Sequence, residues 1–88
     1  MTDPAPNKRY PETKERSAEL LRLALQRMSA HDAALNPLTF AVWYEHLAGS
    51  NALLSRAFEG ALQDDPRLGD ATIQRLYDQH VVGARERD

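Results

Sequence analysis

The segment from Asn36 to Asn51 constrains the fold most, because it carries both ends of one helix and the start of another. Asn36 is a strong N-cap residue, and Pro37 follows at the first helical position, where its missing N–H costs nothing. Gly49 can adopt the left-handed conformation that closes a helix. Asn51 can then cap the next helix. The segment therefore predicts two short helices joined by a tight turn.

Apolar residues along the whole chain recur with the period of an α-helix rather than with the alternation of a strand. They predict four amphipathic helices, over residues 12–31, 37–48, 52–63 and 71–82. The connections between these helices are short, and no segment shows strand-like alternation. We therefore expect an all-α fold, a small bundle or array of four amphipathic helices.

The chain is expected to divide into a tail, one domain and a charged end. Its 88 residues suffice for one compact domain, which we place at residues 12–82. Residues 1–11 hold three of the five prolines and little apolar surface, and are predicted to be a flexible tail. Residues 83–88 are mostly charged and are expected to begin a linker, as in an excised domain, unless the chain is a stand-alone relative.

The first predicted helix carries more apolar surface than one neighbouring helix can cover. A single stripe on it consists of Leu21, Ala24, Leu25 and Met28. Leu20 and Leu23 widen this stripe, so we expect the helix to be buried on two sides. The wide apolar surface favours self-association or a protein partner, with Leu20 and Leu23 as contact residues.

Composition excludes several classes of site. The chain has no cysteine, so disulfides and thiolate metal sites are ruled out. The chain has a net charge of −2 and lacks the basic surface that is typical of nucleic-acid-binding proteins. No apolar run reaches the length of a membrane span, and the first residues do not form a secretory signal. We expect a cytoplasmic protein with no cofactor, no metal, no nucleic-acid partner and no membrane attachment.

The predicted second helix carries the side chains that are the strongest candidates for a functional role. Trp43 and Tyr44 are adjacent and point about 100° apart, so one can fill the core while the other reaches a neighbour or the surface. Packing is favoured over a partner site for this pair, and a solvated or capping role is favoured for Glu45. The three histidines lack metal-ligand spacing and are expected to be structural. The turn at Gly49 suggests a helix-turn-helix. The third helix, however, offers only Arg56 to contact DNA bases, so DNA binding is not favoured.

The string Asn-Pro-Leu-Thr-Phe-Ala-Val-Trp-Tyr-Glu-His-Leu-Ala-Gly-Ser-Asn, residues 36–51, resembles the N-terminal helical region of bacterial GGDEF-type diguanylate cyclases. The similarity spans roughly residues 16–82, and its most specific part is Trp43-Tyr44-Glu45 with Gly49 and Asn51. A second match lies in the fourth helix, at Ile73, Leu76, Tyr77, Asp78 and His80.

This resemblance implies a non-catalytic regulatory or oligomerisation module, placed in a longer parent protein before a linker and a cyclase domain that makes cyclic di-GMP from GTP. The 88 residues lack the Gly-Gly-Asp/Glu-Glu-Phe loop and its metal carboxylates, so no catalysis is expected of them. The alternatives are a small-molecule sensor with a pocket near Trp43 and Tyr44, or a stand-alone helical adaptor. The expected interaction or ligand surface comprises Leu20, Leu23, Trp43, Tyr44, Glu45, Asn51 and Tyr77.

Overall fold

A computed structural model describes residues 10–82, and over this range it confirms the all-α fold with four helices. The helices are α1 (Lys14–Ser29), α2 (Pro37–Ala48), α3 (Ala52–Asp64) and a fourth helix in two parts. Its first part, α4 (Asp70–Leu76), is α-helical, and its second, the π-segment (Tyr77–Val82), is π-helical. The expected linker at 83–88 and the tail up to residue 9 lie outside the described residues.

The predicted caps explain where three helix ends fall. The Asn36 side chain accepts a hydrogen bond from the backbone N–H of Thr39, at 3.0 Å, and begins α2. Gly49 ends α2 in the left-handed conformation, with φ of 72°. The Asn51 side chain accepts from the N–H of Leu54, at 3.1 Å, and begins α3. The sequence-based assignment of these positions is confirmed.

The ends of the first and fourth helices differ from the prediction. Helix α1 is shorter than residues 12–31, because Thr13 caps it and the last turn closes at Ala30. Asp is a strong N-cap residue, yet Asp70 is the first helical residue of the fourth helix, and Gly69 takes the cap position. The Asp70 carboxylate instead accepts a hydrogen bond from the N–H of Ala34, at 2.8 Å. This bond joins the start of α4 to the α1–α2 connection.

Helix α2 lies at the centre of the fold. It packs against α1, α3, α4 and the π-segment, whereas α1 lies against α2 and no other described helix. The buried apolar residues of the resulting core are Leu20, Ala24, Met28, Ala33, Val42, Trp43, Tyr44, Leu54, Phe58, Ala61, Leu68, Ile73, Leu76 and Val81. Because α1 has a single neighbour, one long side of it remains uncovered.

The α1–α2 connection and the α3–α4 connection are hydrogen-bonded to each other beside the core. The N–H of Asp32 donates to the carbonyl of Arg67, at 2.8 Å, and the N–H of Ala33 donates to that of Leu68, at 3.1 Å. The Arg67 guanidinium also pairs with the Asp32 carboxylate, at 2.6 Å, and lowers the pKa of that carboxyl. Leu68 adopts a positive φ of 47° and is fully buried, so its side chain anchors this connection.

None of the helices within residues 10–82 combines the length and the apolar character needed to cross a membrane.

Candidate functional site

A buried carboxylate lies where α2, the α2–α3 turn and Tyr10 meet. Glu45 is 2% exposed and is the only buried acidic side chain among residues 10–82. Its Oε2 accepts a hydrogen bond from the Tyr10 hydroxyl at 2.6 Å, and its Oε1 accepts from Asn51 Nδ2 at 3.1 Å. Hydrogen bonds of this kind compensate a carboxylate for the loss of water. Glu45 is therefore not the solvated side chain that the sequence favoured.

Asn51 connects this carboxylate to the fourth helix. Its Nδ2 also donates to the backbone carbonyl of His80, at 2.8 Å, within the π-segment. Its Oδ1 caps α3 through Leu54, so all the hydrogen-bonding groups of the amide contribute to the fold. Glu45 and Asn51, both within residues 36–51, thus meet in one network. We call Tyr10, Glu45, Asn51 and the His80 carbonyl the Glu45 network.

Tyr10 shows that the predicted tail is too long at its C-terminal side. The sequence assigns residues 1–11 to the tail, yet Tyr10 is half-buried and hydrogen-bonded to Glu45. Its ring also meets that of Tyr44 edge to face, with centroids 5.6 Å apart. The sequence offers no signal for this contact, because an isolated aromatic among prolines has no helical periodicity.

Trp43 and Tyr44 are both buried and serve different parts of the core. The Trp43 ring meets Phe58 edge to face at 4.6 Å and stacks on His31 at 5.4 Å. The Tyr44 hydroxyl donates to Glu12 Oε1 at 2.9 Å. Burial, and secondly the Glu12 carboxylate, raise the pKa of Tyr44 to about 12. These contacts support packing as the role of the pair.

His46 belongs to the same aromatic cluster. Its ring stacks on Phe58, with centroids 4.2 Å apart and an interplanar angle of 11°. Its Nδ1 lies 3.0 Å from Ser55 Oγ. Burial lowers the pKa of His46, so the ring is neutral at pH 7 and can pack against carbon.

The described residues do not assemble a metal cluster, since no three His, Asp or Glu side chains between positions 10 and 82 can reach one ion. Asp65, from the acidic pair before Pro66, accepts from the Gly69 N–H at 3.0 Å and the Thr72 hydroxyl at 2.7 Å. These bonds lower the pKa of Asp65 and close the α3–α4 connection. Asp65 therefore serves as helix-end structure.

The uncovered side of α1 borders an apolar groove of about 330 Å³. We call it the leucine groove, and its lining residues are Leu21, Leu25, Met28, Leu35, Asn36, Pro37 and Phe40. Leu21, Leu25 and Leu35 are 50%, 52% and 54% exposed. None of these seven described residues carries a charge. The groove therefore presents leucine side chains to solvent on one continuous face.

The residues of α1 that were expected to form a contact surface are not the exposed ones. Leu20 is 1% exposed and lies in the core, and Leu23 is half-buried. Helix α1 turns Leu20, Ala24 and Met28 toward the rest of the protein, which leaves the neighbouring row outside. The sequence did show two apolar faces, but not which of them α2 would cover.

A second, open groove of about 370 Å³ lies beside Tyr44 and is lined by Tyr10, Phe40, Ala41 and Tyr44. Phe40 also lines the leucine groove, so the two grooves share a border. Trp43 does not line either groove. Tyr77, the remaining residue of the expected surface, is half-buried against the core at the start of the π-segment.

Comparisons with family models, with curated proteins and with solved structures found no match to this chain. The resemblance of residues 36–51 to the cyclase N-terminal region therefore stays a prediction.

Proposed function

We propose that this chain is a non-catalytic helical module that self-associates through the leucine groove, and that it regulates an attached cyclic di-GMP-synthesising cyclase domain in the cytoplasm. The observation that carries the self-association is the collection of Leu21, Leu25 and Leu35 on one groove, each at least half exposed. The cyclase context comes from the resemblance of residues 36–51.

The grouping of these leucines matters more than their exposure. A single exposed leucine is ordinary on a protein surface, and Leu53 on α3, 54% exposed, is of this kind. A continuous apolar patch is typical of a surface that meets another macromolecule. Leu21, Leu25 and Leu35 lie on one groove, and α2 is the only described helix in contact with α1.

A second copy of the chain is the occupant that fits this groove. The same face offers both a ridge, Leu21 and Leu25, and the hollow between α1 and Leu35, so two copies can bury each other in an isologous contact. Because the seven described lining residues are uncharged, two copies can meet at these residues without opposing like charges. A patch of this size predicts weak association, with a Kd on the order of micromolar or above.

The Glu45 network gives Glu45 and Asn51, within residues 36–51, a structural role. Glu45 is buried and hydrogen-bonded to Tyr10 and Asn51, and Asn51 also holds the π-segment.

Self-association gives the module its regulatory effect. Since a cyclase needs two catalytic domains facing each other, a weakly associating module would raise their effective concentration.

Light scattering during size-exclusion chromatography tests the proposal. Wild-type mass should rise with concentration from that of a monomer toward that of a dimer. The double variant Leu21→Glu/Leu25→Glu should remain a folded monomer, because it places charges in the groove. Leu53→Glu is the matched control, equally exposed but outside the groove, and should behave as wild type. Association that survives the double variant would contradict the proposal.

A ligand sensor is the second candidate, and the groove beside Tyr44 favours it. Its volume of about 370 Å³ falls within the range of small-molecule sites, and its lining is aromatic and apolar. A metabolite that binds there should raise the melting temperature of the wild type but not of Ala41→Phe, which fills the groove. If no metabolite in a library raises the melting temperature, this candidate fails.

A further inference from the structure

The fourth helix changes its hydrogen-bonding pattern along its length, from the α pattern of Asp70–Leu76 to the π pattern of Tyr77–Val82. Tyr77, at the junction, has ordinary helical dihedral angles, with φ of −62° and ψ of −50°. The π-segment contains neither proline nor glycine, so its residue types permit an α-helix as well. Because π-helices are rare, and occur mostly as single turns inside α-helices, contacts with the rest of the fold must favour the π pattern here.

The buried side chains of the fourth helix are spaced for the π pattern. Leu76 is 3% exposed and Val81 is 5% exposed, whereas His80 is only half-buried. A π turn closes five residues further on, which brings Val81 to the side of the helix that Leu76 occupies. In an α-helix His80 would take that place, about 40° around the axis from Leu76, and Val81 would lie about 140° away. The two patterns therefore put different side chains into one core position.

Asn51 holds the π-segment from outside the fourth helix. Its Nδ2 donates to the His80 carbonyl at 2.8 Å and to Glu45 Oε1 at 3.1 Å, and the amide has two N–H groups for these two acceptors. Its Oδ1 accepts from the N–H of Leu54, so the amide cannot turn over without losing these hydrogen bonds. Asn51 therefore fixes the position of the His80 carbonyl relative to α3.

We infer that Tyr77–Val82 is a conformational switch, in which the Asn51 contact selects the π form, with Val81 in the core, over an α form with His80 in its place. Loss of this contact releases the His80 carbonyl and populates the α form. The Tyr10 hydroxyl donates to the same Glu45 carboxylate, at 2.6 Å, so the segment before α1 reaches the same network. The switch is a property of the domain itself and stands without the proposed self-association.

Switching rotates the point at which the chain leaves the fourth helix. A π turn spans one more residue than an α turn between its hydrogen-bonded groups, and one residue of an α-helix corresponds to about 100°. Conversion to the α form therefore turns the end of the helix by about that angle. In the proposed function, on which this consequence alone rests, the rotation reorients an attached domain.

The N–H of Val82 reports which form is present. By the definition of the two helix types, it pairs with the carbonyl of Tyr77 in the π form and with that of Asp78 in the α form. Scalar couplings across hydrogen bonds, measured by NMR on isotope-labelled protein, identify the accepting carbonyl directly. The wild type should show the coupling to Tyr77. A wild-type coupling to Asp78 instead would overturn the inference.

Asn51→Ser removes the contact with His80 and keeps the N-cap, because serine caps helices about as well as asparagine. It should raise the ratio of the α form to the π form about three- to tenfold, the factor expected for the loss of one hydrogen bond. Asn36→Ser is the matched control, since Asn36 caps α2 through Thr39, and it should leave the ratio unchanged. Equal changes in the two variants would show that Asn51 has no selective effect on the π-segment.

His80→Leu tests the exchange of core residues without altering Asn51. Leucine at position 80 gains more apolar burial in the α form than in the π form, so the ratio should again rise about three- to tenfold. Gln79→Leu is the control, because Gln79 is exposed in the same segment, and it should have no effect. An unchanged ratio in His80→Leu would show that the π-segment is fixed, and would overturn the inference.

Discussion

Asn51 donates a hydrogen bond to the buried carboxylate of Glu45, at 3.1 Å, across the turn that separates α2 from α3. The same amide nitrogen donates to the carbonyl of His80 at 2.8 Å, so one side chain joins two helices and the π-segment. Tyr10 completes the network from the other side of Glu45. The first and last parts of the described domain are therefore held at one buried point.

Replacing Asn51 with Asp should destabilise the protein although Asp is an equally good N-cap residue. The change keeps the acceptor for Leu54 but removes the donors to Glu45 and His80 and places a second carboxylate beside Glu45. We expect a loss of about 2–4 kcal/mol in the free energy of unfolding, measured in urea.

Asn36→Asp is the matched control for this substitution. Asn36 caps α2 in the same way through Thr39, but its amide is exposed. Its replacement should change the free energy of unfolding by less than about 0.5 kcal/mol. Similar losses at the two positions would show that Asn51 acts only as a cap.

Leu20 and Leu21 should respond in opposite ways although they are neighbours in sequence. Leu20→Ala leaves a cavity in the core and should lower the free energy of unfolding by about 2–5 kcal/mol. Leu21→Ala should change it by less than about 0.5 kcal/mol and should weaken self-association instead. Chemical denaturation at low protein concentration, with light scattering at high concentration, separates the two effects.

Tyr44 should ionise at a higher pH than an ordinary tyrosine. Its pKa of about 12 exceeds the ordinary value of 10, so the folded state holds the proton more tightly than the unfolded state does. Stability from this group is complete below pH 10 and is lost as pH rises toward 12. The ultraviolet titration of tyrosinate should show a late step, near pH 12, that Tyr44→Phe removes. A wild-type titration without a late step would contradict this burial.

His46 should resist protonation. Its pKa is lowered by burial, so the unfolded state binds a proton first as the solution becomes acidic. The free energy of unfolding should therefore fall as pH drops below about 6.5, and His46→Gln should flatten that dependence. Proton NMR of the histidine rings measures the pKa directly. A value at or above 6.5 for His46 would contradict the stacked, half-buried ring.

The helix ends around α2 could be predicted because their signals are local. Asn36, Pro37, Gly49 and Asn51 act within one turn of chain, so their residue types suffice to place the ends. The π-segment is different, because the Asn51 contact with the His80 carbonyl depends on how distant helices meet. Asp70 is a similar case, since its carboxylate takes a tertiary partner in place of the expected local one.

The candidate site was predicted in part. Periodicity showed that α1 has more apolar surface than one neighbouring helix can cover. In the structure, Leu21 and Leu25 remain about half exposed. Periodicity could not show whether Leu20 or Leu21 would face α2, since both fit an apolar stripe. Glu45 and Asn51 were singled out by resemblance, whereas their meeting with Tyr10 requires the folded chain.

The central claim, that the module self-associates through the leucine groove, is tested most directly by sedimentation equilibrium of the wild-type chain from micromolar to millimolar concentration. The account predicts a weight-average mass that rises from that of a monomer toward twice that value and fits a monomer–dimer equilibrium. It also predicts that Leu21→Glu/Leu25→Glu holds the mass at that of the monomer while Leu53→Glu does not. A wild-type chain that sediments as a monomer throughout this range would contradict the claim.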